Sequence, residues 1–327
     1  MKKSGLWIKK TVLLFLVGSF LICFSCKKKE KETPTETISQ EVEKEPFFKL
    51  SLAQWSLHKF VNDENGSPFL FPVQAKEMGF EGVEYVSQLY KNEIEKLGFD
   101  QVIDSLKNVS KSQNITNVLI MVDNEGDLAS PDLAKRNLAV ENHKRWVDAA
   151  KILGCHAIRV NTFGTMDAKL WVPSVADGLR KLSEYAATKN INVLCENHGW
   201  FSSDPPKLLE AIHLVNMPNC GTVPDFGNWC IKRSENYFGG ECEEVYSDKY
   251  SGIELMLTKA KAVSAKSYDF DENGNETTLD YPRIIQLVKD SGYTNYIGVE
   301  YEGSRLSEKE GIKATRDLLL KSAKSLK

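Results

Sequence analysis

The feature that most constrains this chain is an alternation repeated eight times after residue 47: a short run of branched apolar residues, then a longer stretch with helical spacing. Strand patterns fall at 48–55, 82–86, 117–123, 157–161, 192–197, 221–226, 262–268 and 296–301. Parallel strands cannot be joined by a tight turn and need a crossover, so each helical stretch marks its flanking strands as parallel neighbours. The clearest helices are expected at 132–153, 173–190, 205–215, 281–291 and 307–325, several opening on Ser, Asp or Pro and stopping near Gly. Eight such units favour closure into a single (β/α)8 TIM barrel of the α/β class. An open doubly wound sheet is the alternative, but it would carry a Gly-rich phosphate loop after its first strand, and none stands there.

In a barrel strand alternate side chains face the helices and the axis, and the helix-facing ones are branched and apolar. Ile158 and Val160 therefore turn Arg159 and Asn161 inward, and Val83 and Tyr85 turn Glu84 inward. The same alternation carries Asp123, Glu196 with His198, Asp225, Ser264 with Lys266, and Glu300 with Glu302 to the axis near the C-terminal strand ends, where barrel active sites lie. One buried acid is commonly a satisfied structural group. A ring of them is different, because each unpaired buried carboxylate is costly. The set predicts a divalent ion, a cation such as Arg159 or Lys266, or a shared proton.

The segment before the barrel has another character. Lys2, Lys3, Lys9 and Lys10 precede an apolar run at 11–24, the order of a secretory signal, and that run is short for a membrane span. Ser25 stands directly before Cys26, which resembles a bacterial lipoprotein lipobox, with Cys23 where a lipobox usually carries Leu. Lipidation is expected at Cys26, a plain cleaved signal or an uncleaved anchor being the alternatives. Residues 27–46 are rich in Lys, Glu and Thr and hold no aromatic residue, so they are expected to be a disordered tether. The expected organisation is a signal at 1–26, the tether at 27–46 and one barrel at 47–327, exported and lipid-anchored to a bacterial membrane on its periplasmic or outer-membrane side.

With 42 basic against 45 acidic residues and a net charge of -3, the chain lacks the basic excess that binding a phosphate backbone needs, which argues against a nucleic-acid partner. Of seven cysteines two lie in the signal; Cys155, Cys195, Cys220, Cys230 and Cys242 form no CxxC pair and leave an odd number, so they read as core thiols and not a disulfide framework.

Three motifs then occur in order: Val193-Leu194-Cys195-Glu196-Asn197-His198-Gly199, Val223-Pro224-Asp225-Phe226-Gly227-Asn228 and Gly298-Val299-Glu300-Tyr301-Glu302. With Gly79-Phe80-Glu81-Gly82-Val83-Glu84 and Leu153-Gly154-Cys155-His156-Ala157-Ile158-Arg159-Val160, they resemble the xylose-isomerase-like, sugar phosphate isomerase/epimerase barrel superfamily across the whole mature barrel. The resemblance implies one divalent metal held by acids on the fifth, sixth and eighth strands, here Glu196, Asp225 and Glu300, and by a histidine on the seventh. The seventh strand instead reads Ala262-Val263-Ser264-Ala265-Lys266-Ser267, with Ser264 where that histidine is expected. Either water or another residue such as His198 completes the shell, or the Lys266 ammonium takes the place of the ion. Oxygen-rich ligation favours Mn2+ or Mg2+, with Zn2+ and Co2+ as alternatives.

The implied activity is that of an isomerase, epimerase or lyase on a free or oxidised (keto) sugar or glycoside, with Glu196 and Glu300 moving a proton next to a carbonyl and Lys266 and His198 assisting. His198 reads equally as a packed core histidine. Trp55, His58, Trp200 and Trp229 offer aromatic walls for a sugar ring, or ordinary rim packing, while Glu84, Arg159 and Asn161 offer polar contacts. The competing class is a non-catalytic glycan-binding barrel, which the absent strand-seven histidine favours. The superfamily's endonucleases need a His-rich site and a basic surface that this chain lacks. Residues 269–276 are only loosely like a calcium loop and are expected to form a solvated turn.

Overall fold

The expected alternation becomes a ring of parallel strands in the computed structural model, which describes residues 45–63, 66–235 and 239–326. In chain order the strands are β1 (Lys49–Ala53), β2 (Gly82–Val86), β3 (Thr116–Val122), β4 (Ala157–Val160), β5 (Asn192–Glu196), β6 (Cys220–Val223), β7 (Cys230–Arg233), β8 (Cys242–Val245), β9 (Val263–Ser267) and β10 (Tyr296–Tyr301). Eight of them form one sheet in the order β6-β5-β4-β3-β2-β1-β10-β9, every pairing parallel. Parallel bridges from Thr222 to Ala260 and from Asp225 to Ser264 bring the two sheet ends together, with the Ser264 N–H donating to Pro224 O and the Phe226 N–H to Ser264 O. This is the (β/α)8 barrel, contained in the unit Lys44–Lys327. The secretory signal, Cys26 and the tether up to residue 44 lie outside the described residues.

The alternation of side chains produces two separate apolar cores. Ile158 and Val160, Val83 and Tyr85, Val193 and Cys195, and Ile297 and Val299 belong to the large layer beneath the helices. Val86, Leu119, Met121, Ala157, Leu194 and Val223 form a small cluster inside the barrel. Above that interior plug the axis-facing positions turn polar, as the strand parity requires.

Helix ends follow capping chemistry. Asp132 accepts from the N–H groups of Ala134 and Lys135 to start Leu133–Leu153, which stops at Gly154 with φ of 80°. Ser307 and Glu310 form a capping box at the start of Glu308–Lys324. The boundary that differs most from the sequence expectation is that of the helix expected over 173–190, which runs Ala168–Ala187, because the Asp167 side chain caps it and the helix absorbs Pro173 near its start.

The cysteine reading requires a correction. Cys155, Cys195 and Cys220 are buried thiols, but Cys230 and Cys242 are joined in a disulfide with their Cα atoms 5.9 Å apart. They cross-link the antiparallel hairpin β7–β8, an insertion after β6. Spacing could not reveal this pair, because only the hairpin's turn brings residues 12 apart into contact. In the chain-entropy view a loop of that length stabilises by about 3 kcal/mol. The double variant Cys230→Ser/Cys242→Ser is therefore expected to melt at a lower temperature than the oxidised protein, and a reductant is expected to shift the wild-type melt in the same direction.

Glu84 shows how strand parity and depth differ. It points inward, but it pairs in register with Ala53 and Leu119, accepts a 2.6 Å hydrogen bond from Ser51 Oγ, and is 2% exposed. Gly298 leaves room for it, since a Cβ there would lie 2.5 Å from the Glu84 carboxylate. Burial, opposed by the Ser51 hydrogen bond, pushes its pKa up to about 7. A raised carboxyl pKa means that the folded state holds the proton more tightly, so stability falls as pH rises from the ordinary carboxyl range to about 7. The total loss is about 3 kcal/mol. Glu84→Gln is expected to melt above wild type at pH 8 and level with it at pH 4, as thermal melts at the two pH values would record.

Candidate active site at the barrel mouth

The polar axis-facing residues converge where the C-terminal strand ends meet. Glu196 ends β5, Asp225 follows β6, Ser264 and Lys266 lie on β9, and Glu300 lies on β10 with Glu302 just beyond it. One oxygen from each of Glu196, Asp225 and Glu300 lies within 4.8 Å of the others. These three acids and Lys266 are 3, 0, 4 and 1% exposed, so solvent does not screen their charges.

Each acid is held by named partners. Glu196 Oε1 accepts from Asn228 Nδ2 at 3.1 Å, and Glu196 Oε2 lies 2.8 Å from Arg159 Nε, a close charge contact without hydrogen-bond alignment. Asp225 Oδ1 accepts the backbone N–H groups of Gly227 and Asn228, while Asp225 Oδ2 accepts from Ser264 Oγ at 2.6 Å. Ser264 Oγ also stands 3.2 Å from Glu300 Oε2. Lys266 Nζ lies 3.4 Å from Glu300 Oε1 and 3.2 Å from Glu302 Oε1.

A second network extends from this cluster. Arg159 donates to Asp123 Oδ1 at 2.8 Å, and Asn161 Nδ2 donates to the same oxygen at 2.6 Å. With its amide nitrogen so engaged, Asn161 presents Oδ1 to His198 Nδ1 at 2.7 Å. An amide oxygen can only accept, so His198 carries its proton on Nδ1 and leaves Nε2 as an acceptor.

The electrostatics follow from burial and charge count. Five carboxylates, Asp123, Glu196, Asp225, Glu300 and Glu302, face two fixed cations, Arg159 and Lys266. Burial pushes Asp225 up to about 7 and Glu300 up to about 8, with Lys266 opposing both. Burial also raises Glu196 against the pull of Arg159 and Lys266. For Asp123, burial is outweighed by Arg159, His198 and the Asn161 hydrogen bond, and its pKa falls. Burial, helped by the Arg159 and Lys266 charges, pushes His198 down to about 3, so the ring is neutral near pH 7. Lys266 stays charged, because Glu300, Glu302 and Asp225 outweigh its own burial. The uncompensated negative charge and the purely oxygen donors of Glu196, Asp225 and Glu300 fit a hard divalent ion.

A cavity of about 730 Å³ opens above this cluster. Trp55, Arg159, Asn161, His198, Trp229, Lys266 and Glu300 line it. Glu196 and Asp225 do not line it but adjoin Glu300. Glu84 lies elsewhere in the interior, and His58 stacks on Trp55 with ring centroids 4.7 Å apart and does not line the cavity. Trp200 is not among the lining residues either; Trp229 is largely buried, its indole N–H donating to Phe226 O. Residues 269–276 form a turn in which Asp271 accepts the N–H groups of Asn273 and Asn275, while Glu276 accepts those of Asp269, Thr278 and Leu279.

Several contributors were not legible beforehand. Asn197 holds Asp225 by accepting its N–H and donating to its carbonyl, and Asn228 holds Glu196; both occur in the motifs, but alternation gave Asn197 the helix-facing side of the fifth strand, and Asn228 lies beyond the sixth. His143 lines the cavity from the helix Leu133–Leu153, with Nδ1 bonded to Ala139 O. A histidine inside a helix carries no sequence signal for that role.

The profile of the xylose isomerase-like TIM barrel family matches residues 72–322. The chain belongs to this family. Among solved structures, the zinc-bound IOLI protein is 15% identical with a TM-score of 0.62, covering 84% of this chain and 98% of that one. The apo form of 3-keto-D-glucoside 4-epimerase, YcjR, from E. coli is 16% identical with a TM-score of 0.60, covering 83% and 98%. At such identities the likeness establishes the shared fold. The C-glycoside deglycosidase alpha subunit of Arthrobacter globiformis is 46% identical over 46 residues, a stretch that spans 14% of this chain and 13% of that protein. Sugar epimerases are thus among the structural neighbours of this family member.

Proposed function

We propose that the chain is a metal-assisted isomerase, epimerase or lyase that removes a proton next to a carbonyl of a free or oxidised (keto) sugar or glycoside. The observation that carries this reading is the approach of Glu196, Asp225 and Glu300 oxygens to within 4.8 Å at the base of an open cavity. Those three residues would hold the ion, for which Mn2+ or Mg2+ is favoured over Zn2+ or Co2+, and the ion supplies polarisation of the substrate carbonyl. Glu300, which reaches the cavity, takes the carbon-bound proton, and Glu196, fixed by Arg159 and Asn228, is the second acid of the shuttle. Lys266 keeps its charge between Glu300 and Glu302 and donates to developing negative charge on the substrate. His198, anchored on Asn161, lines the cavity and contacts a substrate hydroxyl. Arg159, Asn161, Trp55 and Trp229 bound the sugar's place in the cavity.

Export is part of the same proposal. The signal-like start and Cys26 point to a lipid anchor, and the Cys230–Cys242 disulfide supports an oxidising compartment. A phosphorylated metabolite is then a poor candidate, and a scavenged free sugar or glycoside a good one.

The test is solvent deuterium incorporation into a panel of free and 3-keto sugars by the ion-loaded protein. Label next to the carbonyl is expected for at least one keto sugar. No label in any of them would favour the second reading, a glycan-binding barrel without catalysis, for which the supporting observation is Ser264, hydrogen-bonded to Asp225, at the strand position where a histidine is expected.

A further inference from the structure

Ser264 places a hydroxyl in direct contact with two members of the carboxylate trio, Asp225 and Glu300. It is 2% exposed, and its backbone is fixed on both sides, in register with Gly298 of β10 and bridged to Asp225. A hydroxyl has one proton and two lone pairs. At 2.6 Å Ser264 Oγ donates that proton in a hydrogen bond to Asp225 Oδ2, so Glu300 Oε2, 3.2 Å away, cannot share it fully. The lone pairs of Oγ therefore remain as a neutral oxygen donor beside the carboxylates.

Among the described residues no thiol or imidazole joins the carboxylate trio in ion-holding geometry. Cys195, next to Glu196 in sequence, belongs to the helix-facing core and not to the axis. The Nδ1 of His198 is committed to Asn161. Among the described residues the grouping with ion-holding geometry consists of three carboxylates alone. Adding Ser264 leaves it entirely oxygen.

We propose that Ser264 is the residue that sets the ion preference of this site: its hydroxyl joins Glu196, Asp225 and Glu300 as a fourth, hard donor, and the shell thereby suits Mn2+ and Mg2+ while giving up the nitrogen or sulfur contact on which tight zinc binding relies. This inference rests on the ion-assisted reading above and assigns a role to a residue outside the carboxylate trio. A single soft atom at position 264 is expected to shift the balance toward zinc.

Ser264→Cys tests this with the smallest change of shape, oxygen to sulfur. Chelator-stripped wild type, Ser264→Cys, Ser264→His and Ser264→Ala are titrated calorimetrically with ZnCl2, MnCl2 and MgCl2. The cysteine variant is expected to gain at least about tenfold in zinc affinity while its manganese affinity stays within about threefold of wild type. The alanine variant, lacking any donor, is expected to show no zinc gain. Cobalt loading supplies a readout independent of affinity, because a thiolate bound to Co2+ gives a near-ultraviolet charge-transfer band. That band is expected in the cysteine variant and absent in wild type. Unchanged zinc affinity together with no cobalt band in a folded Ser264→Cys protein would overturn the assignment of Ser264 alone. Absence of any divalent-ion binding in wild type would instead overturn the ion-assisted reading, so the two failures are distinguishable. The histidine variant, with a nitrogen donor, is expected to follow the cysteine variant in direction.

Discussion

Glu300→Gln is expected to reduce deuterium incorporation into a keto-sugar substrate by about 100- to 10,000-fold, the range general acid–base groups supply. Glu300 is the member of the carboxylate trio that lines the cavity, and it touches both Ser264 and Lys266. The amide keeps the shape and an oxygen toward Lys266 but cannot take a proton from carbon. Loss of fold is not expected to explain the result. Burial already pushes Glu300 up to about 8, with Glu302, Glu196 and Asp225 adding to the rise, so a neutral side chain relieves repulsion at pH 7. The ion-free variant is therefore expected to melt no lower than ion-free wild type. Exchange within about threefold of wild type, measured by mass spectrometry on the same substrate, would remove Glu300 from the proton path, since so small a change lies far below the range for an acid–base group.

The barrel and most of its polar axis were legible because period-two alternation assigns a face to every strand residue. Arg159, Glu196, Lys266 and Glu300 all lie on strands, and all four face the axis as their neighbours' branching implied. Alternation assigns a face but not a height. Glu84 faces inward with the same confidence of pattern as Glu300, yet its register with Ala53 and Leu119 seats it below the mouth against Gly298. Height depends on the stagger between strands, a property of the closed ring that no single segment encodes. The same reason hid the β7–β8 hairpin and its disulfide, and the loop residues Asn197 and Asn228 that aim Asp225 and Glu196. Their roles arise from which loops meet after closure. Ser264 lies between the two cases: parity placed it on the axis, and only the distances to Asp225 and Glu300 revealed that one hydroxyl contacts both.

Arg159→Met is expected to destabilise the ion-free protein by about 3–5 kcal/mol, the cost of leaving buried charges without their counterion. At this chain length that lowers the melting temperature by about 10 °C. Arg159 bridges Asp123 at 2.8 Å and Glu196 at 2.8 Å, with side-chain exposures of 11% and 3% for the two acids. Methionine fills the volume but leaves both carboxylates unpaired. Lysine keeps the charge but lacks the planar fork that spans two acids, so Arg159→Lys is expected to fall between the two. The pH dependence has a definite sign. The Arg159 charge is the leading influence holding the Asp123 pKa down against burial, so Asp123's share of the wild-type advantage is present above the unfolded carboxyl range and is lost as pH falls through the lowered value. Asp123's part of the gap between wild type and Arg159→Met is accordingly expected to persist down to the ordinary carboxyl range and to narrow below it. Neutralising the acids in the same background, Arg159→Met with Asp123→Asn and Glu196→Gln, is expected to recover most of the lost stability, because the cost lies in the stranded charges and not in the missing arginine. Failure of that triple variant to recover any of it would mean that Arg159 stabilises through packing, and that the ring of acids at this barrel mouth is held in place by something other than charge.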